Sequence, residues 1–252
     1  MTRAVVVAPH PDDEVLGCSA VLHDASVTVV HVTDGVPPWT AEPDRAGLEA
    51  RRAAESAEAW SCLSSRVEHV RLGFADLAAW RSVDEIASSL ASVIGSADVD
   101  TVYLPAYQLG HPDHDATYVA GALCRSNLDA LDSERTWWVY GLYGFDEERN
   151  LRYGWLPPGT YAPIDERAGD PDLLAAKSSA LRCHKSQIWP DSALDLWIRS
   201  PVPEQFAPFP AAWSRVPQVP CYYEEALGFD RHGASASAVE TAFQTAFQTI
   251  LD

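Results

Sequence analysis

Residues 9–14 read PHPDDE and residues 110–115 read GHPDHD, so imidazoles and carboxylates recur at intervals of two and three in both runs. These side chains bind divalent cations and move protons near neutral pH. In the first run Pro11 stiffens the turn, so Asp13, three residues beyond His10, can swing back to the same point. Asp12, between them, is better placed to take a proton than to share an ion. In the second run His111 and His114 lie one helical turn apart and can face one cleft, with Pro112 suited to the first position of a helix. One of these two histidines can complete a three-ligand site, leaving the other to meet a substrate. A catalytic divalent metal needs three protein ligands, a position open to water, and an acid or base close by.

Both runs follow stretches that read as strands. RAVVV, SVTVVHV, RVEHVRL and DTVYL are short β-branched runs, and helical patterns near 14–24, 43–63, 82–96 and 114–127 separate and follow them. Such alternation predicts βαβ units in an α/β, Rossmann-like, mainly parallel sheet with helices on both faces. Ligands in these sheets sit beyond the carboxyl ends of the strands, where APHPDDE and LPAYQLGHPDHD both emerge. The two loops are therefore expected to meet.

TWWVYGLYGF reads as one further strand and DPDLLAAKSSALRCHKS as a helix, whereas residues 200–220 are Pro-rich and read as irregular. VETAFQTAFQTI places Val239, Phe243, Phe247 and Ile250 on one helical stripe, expected to pack on the body of the protein. A single domain over 1–252 is expected, with the motif-bearing core in about 1–190 and a less regular Pro- and Trp-rich part with a terminal helix in about 191–252.

The two motifs together resemble the LmbE-like, or PIG-L, family of zinc-dependent N-deacetylases. VTDG at 32–35, RAAE at 52–55 and ALRCHKSQ at 180–187 extend the resemblance. It implies that His10, Asp13 and His114 hold Zn2+, that Asp12 is the general base, and that His111 polarises the acetyl carbonyl with Asp113 orienting it. It also implies substrate contacts from Arg52 and Asp76, with His184 lining the cleft. The chain departs from some thiol-sugar deacetylases of the family at Leu109, where they carry tyrosine, and from the family's usual pair of glycines at Ser19 and Ala20. The implied substrate is a small N-acetylated molecule, an amino sugar or glycoconjugate. The alternatives are a metal-dependent amidase on a non-sugar acylamine, or a metal-stabilised binding protein whose catalysis has lapsed. Retention of Asp12 and His111 argues against the last, since a structural metal site needs neither.

Composition sets outer limits. With 36 Asp and Glu against 18 Lys and Arg, the net charge of −18 disfavours nucleic acid and anionic membrane surfaces as partners. Five scattered cysteines form no CxxC pair and read as reduced. MTRAVVVAPH is too short in apolar length for a signal peptide, and no run reaches the roughly 18 apolar residues of a membrane span, so a cytoplasmic location is expected. Most tryptophans fall from residue 137 onward, where they can pack or stack on a ligand. His23, His31, His69 and His232 lack convergent partners in the sequence and read as structural.

Overall fold

Strand β1 (Arg3–Ala8) is buried at every position after the first, as a strand covered on both faces must be. Parallel pairing places β2 (Ser26–Thr33) on one side of it and β4 (Thr101–Pro105) on the other, with β3 (Arg66–Phe74) beyond β2 and β5 (Thr136–Tyr140) beyond β4. The computed structural model describes residues 3–63, 66–129, 135–157, 159–167, 170–210, 221–225 and 236–251. The sheet has seven strands in the order β3-β2-β1-β4-β5-β9-β8, closed at one edge by antiparallel β9 (Glu204–Pro208) and β8 (Asp165–Arg167). Successive strands run outward in opposite directions from β1 and β4, so the loops leaving these two strands part at the switch point of the sheet.

Helices cover both faces. On one lie α1 (Asp13–Asp24), α2 (Glu42–Cys62), α5 (Pro171–Leu181) and α6 (Ala193–Arg199), whose Leu22, Trp60, Leu181 and Trp197 pack with Val6, Val27 and Val29. On the other lie α3 (Val83–Ser96), α4 (Pro112–Asp129) and α8 (Ala236–Leu251), whose Ile86, Leu90, Val119 and Phe243 pack with Val5, Val7 and Val102. A four-residue helix, α7 (Tyr222–Glu225), precedes α8. Val239 and Phe243 of the expected stripe are buried, while the side chains of Phe247 and Ile250 lie outside the described residues.

Two expectations need correction. TWWVYGLYGF is not one strand: β5 ends at Tyr140, and β6 (Tyr143–Phe145) pairs with β7 (Leu151–Tyr153) in a separate two-stranded sheet. The break falls at Gly141, where a side chain would meet the Trp155 carbonyl oxygen at 2.5 Å. The stretch expected to be irregular contains β9, whose Glu204 reaches across to α1. That helix is interrupted at Cys18 (φ −136°, ψ 24°), and the Glu204 carboxylate accepts the buried Ser19 and Ala20 amides at 2.9 and 3.0 Å. Lys177 of α5 completes this buried knot, its Nζ lying 2.6 Å from Glu204.

Candidate active site and metal centre

The loops after β1 and β4 meet, and their three histidine rings pack together with centroids 4.6 Å (His10–His111, edge to face), 5.2 Å (His10–His114, tilted) and 4.9 Å (His111–His114, tilted) apart. All three rings are buried, as are Asp12, Asp13, Asp76 and Asp113. Thr33, at the end of β2, holds the first loop by donating its amide and hydroxyl to the Pro9 carbonyl at 3.0 and 2.9 Å. In the second loop, Asp115 of α4 accepts the Gln108 and Leu109 amides at 3.0 and 3.3 Å, fixing the turn that presents His111.

Asp13 is the meeting point. Its Oδ2 lies 3.0 Å from His10 Nδ1 and 3.3 Å from His114 Nε2. Donors on a tetrahedral ion, each bonded at about 2.0–2.2 Å, stand about 3.4 Å apart, so this spacing is what shared ligands show. His114 Nε2 is also buried without a hydrogen-bond partner, an orphan that a cation would satisfy. Burial alone would lower the His10 pKa, but its bonds to Asp113, Asp13 and Asp76 outweigh this and raise it well above the usual imidazole value. The surroundings thus favour positive charge, and a divalent ion would displace that proton on binding. A divalent metal therefore fits His10, Asp13 and His114. Two wider groupings also have ligand atoms within 4.8 Å of one another: His10 with His111 and His114, and His10 with Asp76, His111 and Asp113.

Asp113 does not orient His111 through its carboxylate, contrary to expectation. That carboxylate lies 3.2 Å from His10 Nε2 and accepts the Leu77 and Ala79 amides at 2.6 and 3.0 Å. It holds His10, as an outer carboxylate holds a ligating imidazole. The Asp113 backbone amide instead donates to His111 Nδ1 at 3.2 Å, which assigns the ring proton of neutral His111 to Nε2. Burial, reinforced by repulsion from His10 and His114, depresses the His111 pKa far below its usual value and keeps the ring neutral.

Asp12 stands at the start of α1 with φ 141°, a conformation that costs a non-glycine residue on the order of 1–3 kcal/mol. Its side chain does not cap the helix. Its Oδ2 instead lies 3.1 Å from Arg52 Nη2, and its amide donates to Glu14 at 3.1 Å. Burial pushes the Asp12 carboxyl up to about 8 against the pull of Arg52, within reach of neutral pH. Arg52, expected to contact substrate, lines the cavity but is buried, and Nη2 also donates to the Pro11 carbonyl at 2.8 Å while Nη1 donates to Gly35 at 2.5 Å. Gly35 of VTDG, at φ +62°, leaves room for this, since a Cβ would sit 2.8 Å from Nη1.

Asp76, expected to contact substrate, lines the cavity and lies 3.4 Å from His10 Nε2. His184 does not line it. It is fully buried behind α1 and α2, and neither ring nitrogen has a hydrogen-bond partner. The neighbouring motif is explained by Ser186, whose amide and hydroxyl donate to Glu55 of RAAE at 2.9 and 2.6 Å. His31 and His69 have partners after all: His69 Nε2 lies 2.9 Å from His31 Nδ1, and His31 Nε2 lies 3.1 Å from Glu14. With the Trp60 indole donating at 2.9 Å, they fix the carboxylate that receives the Asp12 amide. Burial opposes ionisation of Glu14, but His31 outweighs it and holds the pKa at about 2.

The polar groups floor a cavity of about 360 Å3, within the range of small-molecule sites. Tyr143, which sequence reasoning missed, stands in its wall with its ring 5.0 Å from that of His114. No spacing pattern marks it, because β6 brings it in from a separate sheet.

Residues 5–124, which span both loops, match the model of the PIG-L family, described as GlcNAc-PI de-N-acetylase. The match takes in the motif-bearing part of the chain, a little under half of its length. Among solved structures it is similar to the zinc-inhibited form of teicoplanin deacetylase Orf2, at 20% identity and TM-score 0.61, covering 82% of this chain and 97% of that one. It is similar to N,N'-diacetylchitobiose deacetylase from Pyrococcus horikoshii, at 24% identity and TM-score 0.55, covering 78% and 73%. It is also similar to GalB, the 4-carboxy-2-hydroxymuconate hydratase of Pseudomonas putida, at 15% identity and TM-score 0.52, covering 85% and 99%. No curated protein matches the chain. At these identities the neighbours establish the fold, and the hydratase among them shows that chemistry must be argued from the site.

Proposed function

We propose that the protein is a metal-dependent hydrolase that removes the N-acetyl group from an amino sugar or small glycoconjugate, with His10, Asp13 and His114 as ligands to Zn2+. The observation carrying this reading is the orphaned His114 Nε2, facing Asp13 and His10 with a restrained carboxylate, Asp12, beside them on the cavity floor. When bound, the ion supplies a Lewis acid that polarises carbonyl oxygen and brings the pKa of water to about 7.

The chain's own groups then divide the proton work. Asp12, its Oδ2 held by Arg52, takes the proton of the attacking water on Oδ1. His111, neutral with its proton on Nε2, donates to the acetyl oxygen as negative charge develops there, and needs no reorganisation because the Asp113 amide already sets the ring. Asp12, now protonated, can return its proton to the departing amine; burial, which raises its pKa to about 8, suits it to both directions. Glu14, Asp113 and Arg52 position these groups without touching substrate.

The test is release of acetate from N-acetylglucosaminides, followed with and without a chelator and after restoring zinc. Chelator-sensitive release that zinc restores is expected. Release indifferent to the chelator, or none from any N-acetyl amino sugar by the zinc-loaded protein, would overturn the proposal.

A further inference from the structure

Beside its carboxylates and imidazoles, the cavity lining includes Trp39, Leu151, Tyr153, Trp189, Leu194 and Tyr222, with the polar Gln187, Asp191 and Ser192 next to Trp189 in sequence. Among the described residues only three large apolar side chains are exposed, and two of them belong to this lining: Trp39 at 62% and Trp189 at 57%. Large exposed apolar rings are costly to leave in water, and gathered in the lining of one cavity they mark a surface that a ligand covers. The two come from distant segments of the chain, Trp39 from the loop after β2 and Trp189 from the loop before α6.

Charge narrows the ligand further. Among the described lining residues Arg52 is the one Lys or Arg, and its guanidinium is already bonded to Asp12 and to two backbone carbonyls. Asp12, Asp13 and Asp76 share that lining. A phosphate or other anion attached to the sugar would meet these carboxylates and a guanidinium already paired with Asp12, in a chain of net charge −18.

Resting on the deacetylase reading, we infer that the substrate is an N-acetylated amino sugar joined to an uncharged aromatic aglycone, which Trp39 and Trp189 receive while the acetamide reaches the histidines and carboxylates. A flat apolar group at this position stacks on the indoles and removes their exposed faces from water. The amino sugar alone leaves them exposed.

The experiment compares kcat/KM for acetate release from phenyl N-acetyl-β-glucosaminide, its methyl counterpart and N-acetylglucosamine 1-phosphate, using the zinc-loaded protein. The phenyl glycoside should exceed the methyl by about tenfold, equivalent to about 1.4 kcal/mol, mainly through KM, and the 1-phosphate should be the poorest of the three. In Trp39→Ala and Trp189→Ala the phenyl-to-methyl ratio should fall toward one. Titration with phenyl β-glucosaminide, which carries no acetyl group, should quench tryptophan emission in the wild type and do so less in Trp189→Ala, a readout independent of turnover. Turnover of the methyl glycoside with no phenyl preference, or a 1-phosphate better than the phenyl glycoside, would overturn the aglycone inference and leave deacetylation standing. Turnover of none of the three would overturn the deacetylase reading itself.

Discussion

Arg52→Met separates the placement of Asp12 from metal binding. Methionine retains the apolar stem but removes a guanidinium that donates to Asp12 at 3.1 Å, to Pro11 at 2.8 Å and to Gly35 at 2.5 Å. Each such bond to or from a charged group contributes about 1.5–3 kcal/mol, and stranding a buried charge by removing its partner costs about 3–5 kcal/mol. Asp12 is buried at 6% exposure, so little of that cost is recovered by solvent. Some relief comes from protonation of the stranded carboxylate, so a loss of about 3–4 kcal/mol is expected in urea unfolding. Catalysis should fall by about a hundredfold, the lower end of what losing a positioned base costs, because the carboxylate is present but no longer held. None of the three proposed ligands touches Arg52, so metal content should stay near one ion per chain, with the loss in kcat rather than KM. Arg52→Lys, which keeps the charge but not the fork, should fall between. Unfolding curves, metal analysis and steady-state kinetics on the same preparations make the test. A folded, metal-loaded Arg52→Met protein with kcat within threefold of wild type would refute the assigned role.

Three other outcomes follow from different parts of the fold. His114→Ala should lose most of its bound metal by elemental analysis, and full occupancy would remove His114 from the ligand set. Burial lowers the His184 pKa to about 4, against about 6.5 in an unfolded chain, so its contribution is present above 6.5 and is lost as pH falls toward 4; by pH 5 the loss is about 2 kcal/mol, and His184→Leu should show a correspondingly shallower fall in Tm between pH 7.5 and 5. Gly17→Ala should destabilise by about 1–3 kcal/mol in urea unfolding, because its Cβ would overlap the Tyr140 ring, whose hydroxyl is anchored on the Val7 carbonyl at 2.8 Å.

Sequence and structure agree best where residues act on near neighbours. Strands β1, β2 and β4 are legible as continuous apolar runs because both their faces are covered, and the spacing within PHPDDE and GHPDHD is enough to bring His10 to Asp13 and His111 beside His114. What was not legible depends on contacts between distant segments. Arg52 reads as a substrate contact by resemblance until the fold lays it under the first loop, and Asp113 reads as the partner of His111 until its carboxylate is seen against His10. Strand β9 is hidden among Pro201, Pro203, Pro208 and Pro210, since prolines argue against a strand except at an edge or end. His31 and His69 looked isolated because the carboxylate joining them to Asp12 lies on α1, away from both strands. Trp39 carries no local pattern, and only the cavity relates it to Trp189.

The assignment of neighbouring carboxylates to different tasks is tested most directly by measuring zinc content and turnover in Asp12→Asn and Asp13→Asn with one N-acetyl substrate. Asp13 Oδ2 lies between His10 and His114, whereas Asp12 Oδ2 is held by Arg52. Asp12→Asn should therefore retain about one zinc ion per chain and lose a hundredfold to ten-thousandfold in kcat, on the order of what a positioned base supplies. Asp13→Asn should lose zinc, with activity partly recovered by excess metal. A zinc-free Asp12→Asn protein beside a fully loaded but inactive Asp13→Asn protein would contradict the assignment.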